Sequence, residues 1–379
     1  MVEPPSSERG REGTIIYLTK VSHHDTLFLY DAKSHFFLGL AAERVACSCF
    51  RKSLFMDASN LRVGTLCNIS FFSFSVGVLT MTLPEVTELF STDDKCRELL
   101  ERLRWPNGPE CPRCKTQKVV RLADGKLLYC AECDYQFGCT VGTVFHDSHL
   151  PLTKWFMVTL LLCEARKGIS ANQIKRTVGM SYKTAWYLCH RIRAAMSEAR
   201  PMLEGTVEVD ETYVGGKERG TSVAGGRGVR ADKEIVIGLR QRGGDLRFFH
   251  AKDVKAGTLA QYIKDNISAD VEVIVTDELR TYPKAMIQAG FHKRKHKTIR
   301  HKAHVYVDGD IYTNTVESAF SLLKRGIMGT WHKISAKHLP AYLDEMTFRF
   351  NRRKNANLFL DTLRHMITAP VLTFDKLTA

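Results

Sequence analysis

Four cysteines constrain this chain more than any other feature. Cys111-Pro112-Arg113-Cys114 is followed, 15 residues later, by Cys130-Ala131-Glu132-Cys133. Two close pairs of thiolates can meet one tetrahedral Zn2+, each pair closing a tight turn around the ion. Residues 118–121 and 126–129, on either side of Asp124-Gly125, predict the two short strands of a hairpin. Protein would fill all four positions on such an ion, so the spacing predicts a structural Zn2+ in a ribbon over residues 106–140. Four unrelated reduced thiols are the bland alternative.

The metal reading requires reduced thiols. The amino terminus has no basic stretch followed by an apolar one and predicts no export signal. Without export the 11 cysteines stay reduced, and a cytoplasmic protein is expected. Cys139, Cys163 and Cys189 lie on apolar stretches and read as core thiols.

Charge narrows the partner. Lys and Arg number 55 against 41 Asp and Glu, a formal net charge of +14, which points to a polyanion: nucleic acid or an anionic membrane surface. With 44% hydrophobic and 25% charged residues, a disordered or fibrous chain is excluded. Residues 63–84 carry no charge, but Asn68 and several Ser and Thr interrupt them, which argues against a membrane span.

Residues 1–80 show no sustained helical or strand period and read as a poorly defined extension. The functional chain is expected to begin near Met81, with a short helical lead-in over 81–105. A helix-turn-helix follows at 150–200. Trp155 to Lys167 is apolar and ends at Gly168. Ser170 and Gln173 form a capping box for a second helix that stops at Gly179, and Ser181 can cap a third. In that third helix Ala185, Leu188, Ile192 and Ala195 make one apolar stripe. Lys183, Tyr187 and Arg191 beside it are the expected DNA contacts, since a basic helix after a glycine turn suits the major groove. A plain helical bundle with a solvated basic face is the competing reading.

The next block, 205–356, alternates strands and helices. Thr206 to Val214 reads as a strand with Glu208, Asp210 and Thr212 on one face and Val207, Val209 and Glu211 on the other. Strands at 235–239, 246–250, 271–276 and 304–307 are predicted, with helices at 257–267, 282–289 and 314–324. Asp277 ends the 271–276 strand. This order matches a ribonuclease-H-like mixed sheet with flanking helices. The predicted fold class is therefore multidomain α/β: zinc ribbon, helix-turn-helix and ribonuclease-H-like domain, closed by a C-terminal helix and tail at 357–379. In that topology Asp210 and Asp277 become neighbours and Glu317 approaches from a helix. Three such carboxylates could hold two divalent ions, Mg2+ or Mn2+, of the kind that clamp a phosphoryl group. Alternation sends Glu211 to the other face, which favours Asp210. Asp277, at the end of its strand, is preferred over its neighbour Glu278. The basic run containing Lys293, Arg294, Lys295, Lys297 and Arg300 lies between the second and third acids, and a role along a DNA backbone is expected of it.

Taken together, these pieces resemble a known family. Cys111-Pro112-Arg113-Cys114, Gly142-Thr143-Val144-Phe145, Lys167-Gly168-Ile169-Ser170, Ser181 to Trp186, Val207 to Tyr213, Thr276-Asp277, Thr313 to Glu317, Lys324 to Ile327 and Phe348 to Arg352 are similar to bacterial DDE insertion-sequence transposases with an amino-terminal zinc ribbon, the ISXO-two-like group. The resemblance covers residues 81–354. It implies cleavage at element ends and joining of the freed 3'-hydroxyls to target DNA with Mg2+, an acidic triad at Asp210, Asp277 and Glu317, and Lys324 on DNA phosphates. Asn314 is the second candidate for the third ligand. Double-stranded DNA is the implied partner, bound by a homo-oligomer on the nucleoid, with no membrane role. A domesticated, non-catalytic DNA-binding regulator is the alternative, and a nuclease that cuts without joining is a third reading.

Overall fold

The computed structural model describes the backbone of residues 14–21, 24–31 and 37–41, and residues 81–197, 199–215, 233–299, 309 and 311–379. The chain divides into two units, Met1–Ser73 and Phe74–Ala379. The first holds an antiparallel meander of β1 (Thr14–Val21), β2 (His24–Asp31) and β3 (Phe37–Ala41), in register Thr14 opposite Asp31 and Thr26 opposite Ala41. The sequence reading found no strand period here. These segments are rich in β-branched and aromatic residues without clean alternation, so propensity carried a signal that periodicity did not.

In the second unit, α1 (Leu83–Leu89) opens with a Thr82–Glu85 capping box, the Thr82 amide donating to Glu85 Oε2 at 2.7 Å. α2 (Asp93–Arg104) follows. The zinc-ribbon segment contains β4 (Val119–Arg121), β5 (Leu128–Cys130) and β6 (Tyr135–Phe137), an antiparallel sheet in that order. The first two are the predicted hairpin; the third was not foreseen. Leu128 and Phe137 pack beside Cys111 and Cys130 in a small core of their own.

The helix-turn-helix comprises α3 (Leu152–Glu164), α4 (Ala171–Val178) and α5 (Tyr182–Ala195). Ser170 Oγ accepts the Gln173 amide at 3.2 Å, and Ser181 Oγ accepts that of Thr184 at 3.1 Å. Gly179 ends α4 with φ of 67°, a left-handed cap that suits glycine. The predicted stripe of Ala185, Leu188, Ile192 and Ala195 is buried. These helices do not form their core alone: Val86 of α1, Phe90 just after it, Leu100 of α2, and Phe359, Leu363 and Met366 from a late helix complete it.

The remaining residues build a five-stranded sheet in the order β11-β10-β7-β8-β9. β7 (Thr206–Val214) is central and pairs antiparallel with β8 (Glu234–Gln241), which pairs antiparallel with β9 (Leu246–Ala251). On its other side β7 pairs parallel with β10 (Val273–Thr276), and β10 pairs parallel with β11 (His296–Thr298). One mixed sheet with helices on both faces is the ribonuclease-H-like arrangement. α6 (Ala256–Asn266) and α7 (Tyr282–Gln288) cover one face. α8 (Asn314–Gly326) and α9 (Leu339–Asn351) cover the other. α10 (Leu358–Thr368) returns to the helical core, and α11 (Phe374–Thr378) ends the chain. The fifth strand lies inside the basic run. The strand expected at 304–307 falls outside the described residues.

Two details set the placement of α8. Gly238 on β8 stands opposite Asp210 in register, and a Cβ there would lie 2.7 Å from Phe320 Cζ and 2.9 Å from Val316 Cγ2. Lacking a side chain, Gly238 lets α8 lie close on the sheet. At its far end α8 runs into a five-residue π-helical turn, Ile327–Trp331. The Trp331 ring covers Gly168 so closely that a Cβ at 168 would be 2.2 Å from it, and the indole N–H donates to the Ile169 carbonyl at 3.3 Å. A buried ion triad adds a second joint: Arg193 Nε of α5 lies 2.6 Å from Glu345 Oε2 of α9, whose Oε1 is 2.9 Å from Arg349 Nη2. Among the described residues, no helix is long and apolar enough to cross a membrane.

Candidate active site and metal centre

The ladder between β7 and β10 ends at Val209 opposite Thr276. Beyond that pair, Asp210 and Glu211 on one strand and Asp277 on the other stand at the carboxyl edge of the two parallel strands. One carboxylate oxygen from each lies within 4.8 Å of the others. Asp277 Oδ1 also accepts the Leu279 amide at 3.0 Å, which holds the turn into α7.

Glu211 corrects the sequence reading. Alternation was expected to carry it to the far face, away from Asp210. It does root on the α7 side, where its Oε2 accepts the buried Tyr282 hydroxyl at 2.8 Å. Yet its carboxylate still reaches Asp277, because β7 runs on past the end of β10 and its β10-side edge is open there, although β8 stays paired with it. Alternation fixes which face a side chain leaves from; at an edge where the neighbouring strand has ended, a long side chain can still reach around it.

α8 delivers the rest. Glu317 and Lys324 line one open cleft with Asp210, Glu211, Arg325 and Met328. Glu317 stands outside the close group of three; its Oε1 accepts the Thr313 hydroxyl at 2.9 Å. Asn314 is exposed on the first turn and does not line this cleft.

The electrostatics fit a cation. Burial, then the charges of Glu211 and Asp277, push the Asp210 carboxyl up to about 8. Burial and Asp277 push Glu211 up to about 7 against the lowering bond from Tyr282. Such a group keeps its full charge at neutral pH only with a counter-charge. Hard carboxylate oxygens on rigid elements are the donors that Mg2+ and Mn2+ take. The other cluster fits Zn2+: Cys111, Cys114, Cys130 and Cys133 each offer a sulfur within 4.8 Å of the rest.

The expected DNA contacts separate. Lys183 is exposed at the start of α5, its ammonium 4.5 Å from the Phe374 ring. Arg191 is 4% exposed, donates to the His146 carbonyl and sits over Trp155 and Tyr187. The Tyr187 hydroxyl donates to the Leu372 carbonyl at 2.7 Å. Arg191 therefore turns inward and Tyr187 is spent on the C-terminal segment, so neither presents the groove-facing group expected of it. Lys293, Arg294 and Lys297 are exposed, Lys295 donates to the Ala269 carbonyl at 2.7 Å, and Arg300 lies outside the described residues.

Sequence reasoning also missed Glu208, although it placed the residue on the Asp210 face. Glu208 is fully buried and accepts the Thr315 and Val316 amides, each at 3.0 Å, and the Thr315 hydroxyl at 2.7 Å; Arg242 Nε donates to it at 2.8 Å. The available signal was a carboxylate in the middle of a strand bound for a core, which demands partners.

A zinc-binding cysteine cluster and a ribonuclease-H-like sheet edged with carboxylates define the class: a zinc-ribbon transposase. Comparison with known proteins agrees. Residues 202–351 match the ISXO2-like transposase domain, and residues 91–136 match the transposase zinc-ribbon domain. An uncharacterized protein in transposable element ISH50 of Halobacterium salinarum is 30% identical over 275 residues, covering 69% of this chain and 91% of that protein. A solved pre-cleavage Mos1 transpososome is 10% identical, covering 55% of this chain and 77% of that one, but at a TM-score of 0.20 the likeness bears on neither fold nor function. The chain belongs to the ISXO2-like transposase family.

Proposed function

We propose that this protein binds the terminal repeats of an insertion element and carries out metal-dependent DNA strand cleavage and strand transfer. The convergence of Asp210 and Asp277 at the carboxyl edge of two parallel strands, with Asp210 also lining the cleft that holds Glu317 and Lys324, carries this reading. Asp210, Asp277 and Glu317 would hold two Mg2+ or Mn2+ ions, with Glu211 beside them. When bound, such a pair activates a hydroxyl nucleophile and stabilises the leaving oxygen of an in-line displacement.

The protein's own groups do the rest. The strands fix Asp210 and Asp277 on rigid backbone, and α8 sets Glu317 and Lys324 two turns apart on one stripe. Lys324 contacts a phosphate beside the cut bond. Lys183 on the helix-turn-helix, the run containing Lys293, Arg294, Lys295, Lys297 and Arg300, and the basic zinc ribbon supply backbone affinity for double-stranded DNA. Tyr187 and Arg191 hold α5 in place for that binding. Two element ends handled together call for a homo-oligomer on DNA, in the cytoplasm at the nucleoid.

The test uses purified protein and terminal-repeat DNA. Asp210→Asn, Asp277→Asn and Glu317→Gln should each retain binding and lose cleavage and joining. Retained cleavage in any one removes that residue from the mechanism. Cleavage without joined products in the unaltered protein would replace transposition by nuclease activity.

A further inference from the structure

We propose that Glu208 is a positioning residue that locks the helix carrying Glu317 to the strand carrying Asp210, and so sets the spacing of the metal-binding acids. The inference rests on the functional reading above.

Glu208 lies two residues before Asp210 on β7 and points to the same face. Its side chain is fully buried, and its bonds run to the start of α8 and to Arg242, which reaches the residue before Thr313. Oε2 accepts the amides of Thr315 and Val316, the second and third residues of that helix, and the Thr315 hydroxyl. These are amides that a helix start leaves without internal partners, and a carboxylate there also meets the positive end of the helix dipole. Oε1 takes Arg242 Nε at 2.8 Å; Arg242 Nη2 in turn donates to the Tyr312 carbonyl at 2.8 Å, with its guanidinium 3.6 Å from the Tyr312 ring. Glu208 and Arg242 thus grip the chain on both sides of Thr313, whose hydroxyl donates to Glu317. Such a cap is ordinarily supplied by a local Ser, Thr, Asp or Asn. Here Thr313 makes no side-chain cap bond, and a carboxylate from a strand more than a hundred residues earlier takes its place. A cap from the strand of the first acid fixes the distance between the two acids; a local cap would not.

Glu208 does not line the cleft, so its effect must travel through the placement of Glu317. Groups that orient metal ligands typically cost roughly 10–100-fold in metal affinity or activity when removed.

The test compares the zinc-loaded full chain with Glu208→Gln and Thr315→Val. Glu208→Gln keeps the shape but removes the charge and one acceptor; Thr315→Val removes only the hydroxyl bond. The readouts are Mn2+ binding by electron paramagnetic resonance without DNA, terminal-repeat affinity, and the Mg2+ dependence of cleavage. Glu208→Gln should bind DNA as the unaltered protein does, weaken Mn2+ binding by roughly 10–100-fold and require correspondingly more Mg2+. Thr315→Val should shift the same way by less. A merely structural role would lower the melting temperature and leave the metal curves in place; that result, in either folded variant, overturns the proposal. If Glu208→Gln fails to fold, Thr315→Val alone decides. Absence of cleavage by the unaltered protein would sink the transposase reading, while the Mn2+ measurement would still judge Glu208.

Discussion

Gly238→Ala should damage catalysis from a position that touches no substrate. Gly238 has an ordinary strand backbone, so alanine adds only its methyl group. That methyl would lie 2.7 Å from Phe320 Cζ and 2.9 Å from Val316 Cγ2, where carbon contacts normally sit at about 3.5–4.0 Å. The shortfall is roughly 0.6–1.3 Å by that standard. Phe320 has little room to yield: it is buried and stacked on Phe248 with ring centroids 5.3 Å apart. Val316 is stiff at χ1 and directly precedes Glu317. α8 must therefore retreat by something on the order of 1 Å, taking Glu317 and Lys324 with it. Overpacking of this kind costs about 1–3 kcal/mol of stability. A displacement of about 1 Å at a reacting centre costs about 100-fold in rate. Denaturant unfolding measures the first, and single-turnover cleavage of terminal-repeat DNA at saturating Mg2+ measures the second. Phe320→Leu in the same chain should return part of the loss by clearing the ring tip. A Gly238→Ala protein that is destabilised yet cleaves at the unaltered rate would refute the link between sheet contact and site geometry.

Other consequences can be measured as directly. Stripping Zn2+ with a chelator, or replacing Cys114 with Ser, should unfold the segment 111–137 while the five-stranded sheet persists; hydrogen exchange resolved by segment would read this. His190 is 1% exposed among Trp186, His338 and Tyr342, with Arg193 nearby, and burial pushes it down to about 3. Below about pH 6.5 the unfolded chain takes up a proton that the folded one refuses, so stability falls as pH drops from there toward 3. His190→Phe should flatten that part of the acid limb in urea titrations at several pH values. Glu345→Gln should cost about 3–5 kcal/mol, because it leaves two buried guanidinium groups without their counter-charge. Equilibrium unfolding would show it, and a loss under 1 kcal/mol would count against the triad as a structural joint.

Much of this was legible in the sequence, for identifiable reasons. The cysteine spacing carries its own geometry, and β7 and β10 declare themselves through β-branched runs. Ser170, Gly179 and Ser181 mark helix ends by chemistry that needs no tertiary partner. What escaped depends on contacts distant in the chain. The polarity of α5 separates an apolar stripe from a basic one, but cannot say that Arg191 will spend its guanidinium on the His146 carbonyl. β11 hides in a lysine- and histidine-rich run because a three-residue edge strand needs little β propensity once β10 is there to pair with it. Glu211 leaves β7 on the face alternation gives it, but its reach to Asp277 depends on β10 ending beside it, which is a property of two strands together. Gly238 looked like any glycine in a strand until α8 was laid across it.

The indole of Trp331 ties parts of the second unit into one chassis. It rests on the turn between α3 and α4 and belongs to the same run of chain as α8. To tilt α3, α4 and α5 without carrying α8 along, the ring would have to lift off Gly168 and the buried triad of Arg193, Glu345 and Arg349 would have to part. The first step uncovers apolar surface to water, and the second leaves buried charges without their partners. On the proposed function, a strand of DNA seated on one module would be presented to the other at a fixed attitude.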